Sequence, residues 1–206
     1  MIFPKYKCIF IHIPKTAGTS IIKVLMPEKF DTGKPPQNHS RPFEFIKSNP
    51  SLWQSYFTFT FVRNPWDRFV SSFLYNAKVA KINFAKTGTS PRGIRKVILD
   101  CDSDINKFII ETPGQVILKG FQFPPQTSWL CNGDTYIQID FIGRFENLQE
   151  DFNYVCDKIG LKPINLPHEN PNVSRKRYQE YYTEETKKIV YEYYKTEIEY
   201  FNYKFE

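Results

Sequence analysis

Cys8-Ile9-Phe10-Ile11-His12-Ile13-Pro14-Lys15-Thr16-Ala17-Gly18-Thr19-Ser20 is the stretch on which the fold turns. Its first half is a run of apolar β-branched and aromatic residues, the pattern of a buried strand. Pro14 ends the run. A short loop, Lys15-Thr16-Ala17-Gly18, leads to Thr19-Ser20, where Ile21, Ile22 and Leu25 take up helical spacing. Strand, tight loop and helix N-terminus together make a cradle for an anion of the phosphate type. Main-chain N–H groups point into the loop, the helix dipole adds partial positive charge, and hydroxyls and a lysine complete the shell. The lysine opens the loop instead of closing it, so the G-x-x-x-x-G-K-[ST] pattern of the ordinary ATP or GTP loop is missing.

A second strand-like run, Phe57-Thr58-Phe59-Thr60-Phe61-Val62, ends in Arg63. Asn64 then serves as a helix N-cap, Pro65 suits the first helical position and Asp67 lies in the first turn. Phe69, Val70, Phe73, Leu74 and Ala77 make the buried stripe of that helix, with Ser71 and Ser72 expected outside it. Arg63 at the strand end and Ser71 about two turns into the helix are the natural pair to clamp a second phosphate.

These two segments resemble a known family. Pro14–Ser20 is similar to the 5′-phosphosulfate loop of sulfotransferases, and Arg63-Asn64-Pro65-Trp66-Asp67-Arg68-Phe69-Val70-Ser71-Ser72 to their 3′-phosphate motif. The nearest resemblance is to the carbohydrate sulfotransferases that include the heparan and chondroitin 2-O-type enzymes and short bacterial relatives. It continues through Pro125-Gln126-Thr127, the segment from Phe141 to Leu148 and Leu166-Pro167-His168-Glu169-Asn170, so it covers nearly the whole chain. Gln126 and Arg144 recur in it without a role that the sequence explains. The resemblance implies an α/β, P-loop-like three-layer fold, with a mainly parallel central sheet flanked by helices. It also implies the sulfuryl donor 3′-phosphoadenosine 5′-phosphosulfate (PAPS), the product 3′,5′-bisphosphoadenosine (PAP), and a hydroxyl-bearing acceptor, a glycan above all.

In that light Lys15 is the stabiliser of the leaving phosphate. Thr16, Ala17, Gly18, Thr19 and Ser20 surround the 5′-phosphate, and Arg63 with Ser71 holds the 3′-phosphate. Sulfuryl transfer by in-line displacement also needs a base on the acceptor hydroxyl. Relatives carry a histidine downstream of the first helix, which singles out His39 in Asn38-His39-Ser40. His12, His168 and, as a carboxylate, Glu44 are the alternatives. A late basic loop often covers the nucleotide in sulfotransferases, which adds Ser174, Arg175 and Lys176 to the donor-binding set. Trp66 or Phe121 is a candidate neighbour of the adenine, with core packing as the competing role.

Composition sets the outer bounds. At 206 residues, 41% apolar and 17% aromatic, the chain can bury a core of its own and reads as a single globular domain, residues 1–206. A net charge of +6 favours anionic ligands without naming one. Cys8, Cys101, Cys131 and Cys156 contain no C-x-x-C pair, so no metal site is expected. Reduced thiols are expected, a Cys101–Cys131 bridge being the alternative. No transmembrane span or signal peptide is visible. The expectation is therefore a cytoplasmic protein, or one trimmed of a Golgi-type anchor, with no nucleic-acid partner and an unknown oligomeric state. The rival readings are a P-loop nucleotide-dependent kinase, weakened by the missing lysine pattern, and a non-catalytic polyanion- or glycan-binding protein.

Alternating strand and helix signals place strand one at about Lys7–Ile13, helices at about Thr19–Leu25, Pro42–Lys47 and Phe145–Ile159, and a strand at Tyr136–Phe141. Residues 80–100 read as mixed and basic with a loop at Thr87–Gly93. Thr183 is expected to cap a last helix.

Overall fold

The computed structural model describes residues 1–29, 39–133, 135–167 and 175–206. It divides into two compact units, Met1–Arg63 with Gln126–Val173, and Asn64–Pro125 with Ser174–Glu206.

The first unit holds a mixed, mostly parallel sheet flanked by helices. Its strands run in the order β1 (Ile2–Phe3), β2 (Cys8–Ile11), β3 (Phe57–Val62), β6 (Phe141–Arg144). β1 is antiparallel to β2, and β2, β3 and β6 are parallel. Because side chains alternate along a strand, Cys8, Phe10, Phe59 and Phe61 share one face. On that face they form a core with Ile21, Ile22 and Leu25 of α1 (Gly18–Leu25) and with Phe152, Val155 and Cys156 of α8 (Leu148–Lys158). Register explains Gly143, which pairs with Phe61. A Cβ there would lie 2.5 Å from the Phe61 ring, so only glycine lets the ring lie across β6. Asp140 fixes the start of the β3–β6 pairing, its Oδ2 accepting from both the main-chain N–H and the hydroxyl of Thr58 at 2.7 Å. Helices α2 (Pro42–Ser48) and α3 (Pro50–Ser55) and the hairpin of β4 (Cys131–Asn132) and β5 (Thr135–Tyr136) complete the unit.

The second unit is helical among its described residues. Asn64 caps α4 (Pro65–Thr87) as expected, its side chain accepting from the Trp66 N–H at 3.1 Å. Trp66, Phe69, Val70 and Phe73 pack with Ile98 of α5 (Ile94–Asp100), Phe108 of α6 (Ile105–Glu111), Ile117 of α7 (Gly114–Leu118) and Val190, Tyr194 and Ile198 of α9 (Glu184–Tyr200). Thr183 caps α9, accepting from the Thr186 N–H.

Several expectations shift. α4 continues to Thr87, through residues 81–87 that are all exposed. With no face to bury, those last turns carry no apolar stripe to signal a helix. The strand expected over Tyr136–Phe141 falls instead at Phe141–Arg144, and residues 145–147 form a 3₁₀ turn ahead of α8. Ser72 belongs to the buried side of α4. Arg68, Ser72 and Asn76, four residues apart, form a buried polar stripe that grips the chain at Gln122–Pro124. Arg68 donates to the Gln122 and Pro124 carbonyls, Ser72 to the Gln122 carbonyl and Asn76 to the Gln122 side chain. Cys8, Cys101 and Cys156 are buried free thiols, so a Cys101–Cys131 bridge is not formed.

Candidate active site

Residues 14–17 make a tight turn between β2 and α1. Lys15 and Ala17 both adopt positive φ, 71° and 68°, and α1 begins at Gly18 with no side-chain cap on its first turn. Left-handed residues in such a loop turn successive N–H groups toward one point, and an uncapped helix start leaves its donors available to a ligand. Thr16 is fully buried and spends its hydroxyl on the Ile13 carbonyl at 2.9 Å. Its side chain therefore braces the loop, which leaves its main-chain N–H as the group able to meet an anion. Ser20 is buried, while Lys15, Ala17 and Thr19 are half-buried.

Arg63 stands beside this loop. Its Nη1 donates to the Lys15 carbonyl at 3.2 Å and its guanidinium lies 3.8 Å over the ring of Phe145. Gln126 holds the main chain of Arg63 from both sides. The Arg63 N–H donates to Gln126 Oε1 at 2.8 Å, and Gln126 Nε2 donates to the Arg63 carbonyl at 2.8 Å. Gln126 is fully buried, and this reciprocal pair is the role that the sequence left open.

His12 and His39 meet next to the loop. The His12 ring packs directly on Gly18, where a Cβ would lie 2.0 Å from Nε2. It stacks with Phe10 of β2, and its centroid is 4.1 Å from that of His39. His39 Nδ1 lies 2.8 Å from the His12 main-chain oxygen. A carbonyl only accepts, so Nδ1 carries the proton and the neutral ring keeps its lone pair on Nε2. The Trp129 ring meets His39 edge-on with centroids 6.0 Å apart, and the Arg41 guanidinium lies 5.5 Å from the indole centroid. Burial is the main influence on both histidines. It holds the pKa of His39 below the ordinary 6.5, against the raising effect of the bond to His12. It holds His12 well below that value, with the His39 charge adding to the effect. His12 Nδ1 is buried and has no hydrogen-bond partner among the described residues.

The remaining candidates belong to other elements. Glu44 is exposed on α2. Ser71, half-buried on α4, and Arg175 and Lys176 belong to the second unit. There Arg175 pairs with Asp67 in the first turn of α4, so its partner comes from the chain itself. Trp66 is a core residue whose indole N–H donates to the Lys187 carbonyl at 3.1 Å, while Phe121 is 56% exposed. Ser174 and His168 lie outside the described residues. Among the described residues no cluster of metal-ligating side chains occurs, and no helix is long and apolar enough to cross a membrane. Sequence reasoning missed Trp129 and the contact of His12 with Gly18. The H-x-x-x-x-x-G spacing of residues 12 and 18 is a weak signal, because a loop must fold back to bring them together.

A family model described as the sulfotransferase family matches residues 1–204, spanning both units. A protein of Archaeoglobus fulgidus, described as uncharacterized, is 33% identical over 110 residues, which is 53% of this chain and 72% of that protein. No solved structure matches the chain.

Proposed function

The chain belongs to the sulfotransferase family, and on that footing we propose that it moves a sulfuryl group from PAPS to a hydroxyl of a carbohydrate acceptor, on a P-loop-like fold. One observation carries this reading. A neutral histidine with a fixed tautomer, His39, is joined through His12 to the glycine that opens α1. On this reading the base and the anion-binding helix start lie within one cluster of contacts.

The residues fit the donor. The uncapped start of α1, the left-handed Lys15 and Ala17, and the contact that keeps Gly18 free of a Cβ suit a phosphate group. PAPS supplies the activated sulfuryl group. The main-chain N–H groups of residues 16–20 bind the 5′-phosphate side. The Lys15 ammonium offsets the charge that grows on the leaving phosphate, and Arg63, steadied by Gln126 and Phe145, binds phosphate as a planar fork. His39 Nε2 accepts the proton of the acceptor hydroxyl, and the resulting imidazolium keeps its Nδ1–H bond to the His12 carbonyl.

A thermal-shift comparison of PAP with AMP tests the donor assignment, because a ligand that binds the native state raises apparent stability. PAP should raise the melting temperature well beyond AMP, and Arg63→Ala should remove the difference. Equal shifts for the two nucleotides would reject a 3′-phosphate site and with it PAPS as donor.

A further inference from the structure

A cavity of about 220 Å³ in the second unit is lined by Asn76, Arg92, Ile94, Arg95, Phe121 and Gln122. Its polar groups are strongly one-sided. Asn76 Oδ1 already accepts from Arg95 Nε at 3.2 Å, and Gln122 Oε1 accepts from Asn76 Nδ2 at 3.2 Å. Each lining amide oxygen thus already accepts one bond. Among the described residues neither Arg92 nor Arg95 meets a carboxylate, and the Nη groups of Arg95 and the amide N–H₂ of Gln122 meet no acceptor. What the cavity offers a ligand is a set of donors carrying two positive charges.

The donors are also held in place. Asn76 is buried and anchored to the Ser72 carbonyl at 2.9 Å, so it fixes the Arg95 guanidinium through Nε. The Gln122 main chain is pinned by Arg68 at 2.9 Å and by Ser72 at 3.1 Å. The exposed ring of Phe121 adds an apolar platform.

We propose that this cavity is a binding site for an oxyanion, a sulfate or a carboxylate, carried on a ring. A neutral polyol brings no charge to meet the two guanidinium groups. A sulfate or carboxylate only accepts, and guanidinium groups match it in shape and charge. The Phe121 ring covers the flat face of the group that bears the anion. The inference does not rest on the sulfotransferase reading, and its test reads binding alone.

The probe is p-nitrophenyl sulfate, titrated by calorimetry at constant ionic strength against inorganic sulfate and the uncharged p-nitrophenyl glucoside. The wild type should bind the aryl sulfate at least tenfold more tightly than Arg92→Gln/Arg95→Gln, and the glucoside not measurably. Phe121→Ala should weaken the aryl sulfate but leave inorganic sulfate unchanged. Lys15→Ala, in the anion loop, should leave aryl sulfate binding as in the wild type. Arg92 is exposed, so Arg92→Gln alone gives a folded control and should weaken binding several-fold. Equal affinity in wild type and Arg92→Gln, or loss of binding in Lys15→Ala, would overturn the assignment.

Discussion

The His12 ring occupies the space that a side chain at residue 18 would need: a Cβ on Gly18 would lie 2.0 Å from Nε2 and 2.1 Å from Cδ2. The ring cannot swing aside easily, since Phe10 stacks on it at 5.5 Å and His39 at 4.1 Å. Gly18→Ala should therefore push the ring or the start of α1 out of place. Overpacking of this kind costs about 1–3 kcal/mol. The denaturant midpoint should fall accordingly, and His12→Ala in the same chain should recover part of the loss, because the two sites share one space. A Gly18→Ala protein with the wild-type midpoint would show that the helix start tolerates a side chain.

The pH dependence of turnover reports on His39. Burial lowers its pKa, so the neutral base persists to lower pH than in an ordinary histidine. The acidic limb of kcat/KM should have its midpoint below about 6.5, the unperturbed value. His39→Ala should abolish transfer and leave PAP affinity within a few-fold of the wild type. A limb centred above that value, or activity retained in His39→Ala and lost in His12→Ala, would move the base elsewhere.

Stability should depend on pH through His12. Its folded pKa lies well below its unfolded value of about 6.5. The unfolded chain therefore takes up a proton near pH 6.5 that the folded chain refuses. The contribution of His12 is complete above pH 6.5 and is lost as pH falls below it, at about 1.4 kcal/mol per pH unit. Urea unfolding between pH 7.5 and 5.5 checks the slope, to which His39 adds in the same direction. His12→Asn should flatten the slope by about one proton; an unchanged slope would mean that the ring titrates normally in the fold.

Much of this was legible in the chain. The apolar run from Cys8 to Ile13 and the alternating Phe and Thr residues from Phe57 to Val62 announce strands, because β-branched and aromatic residues suit a pleated, largely buried surface. Asn64 and Thr183 announce helix starts through hydrogen bonds that span two or three residues. Contacts between distant segments were not legible. Ser72 looks solvent-facing beside Phe69 and Phe73, yet it bonds to Gln122, fifty residues on. His39 stands out as a histidine after the first helix, but its tautomer is set by a carbonyl 27 residues earlier. Arg175 reads as a cation awaiting a phosphate, and Asp67 meets it, 108 residues away.

Gln126 gives the sharpest test of how the site is held. It is fully buried, and its amide satisfies both the N–H and the carbonyl of Arg63, at 2.8 Å each. Gln126→Glu keeps the size and the acceptor but removes the donor, which leaves the Arg63 carbonyl facing a buried carboxylate. An unsatisfied buried polar group costs about 1–3 kcal/mol, and more when a charge is involved. Gln126→Leu removes both partners and orphans both main-chain groups. Each variant should melt lower than the wild type. Each should also lose PAP affinity, because the guanidinium of Arg63 is aimed by the main chain that Gln126 fixes. A structural role alone would lower PAP and AMP stabilisation equally. The expected signature is a selective loss of the PAP shift with the AMP shift retained, and a parallel loss of both would show that Gln126 supports the fold without aiming Arg63.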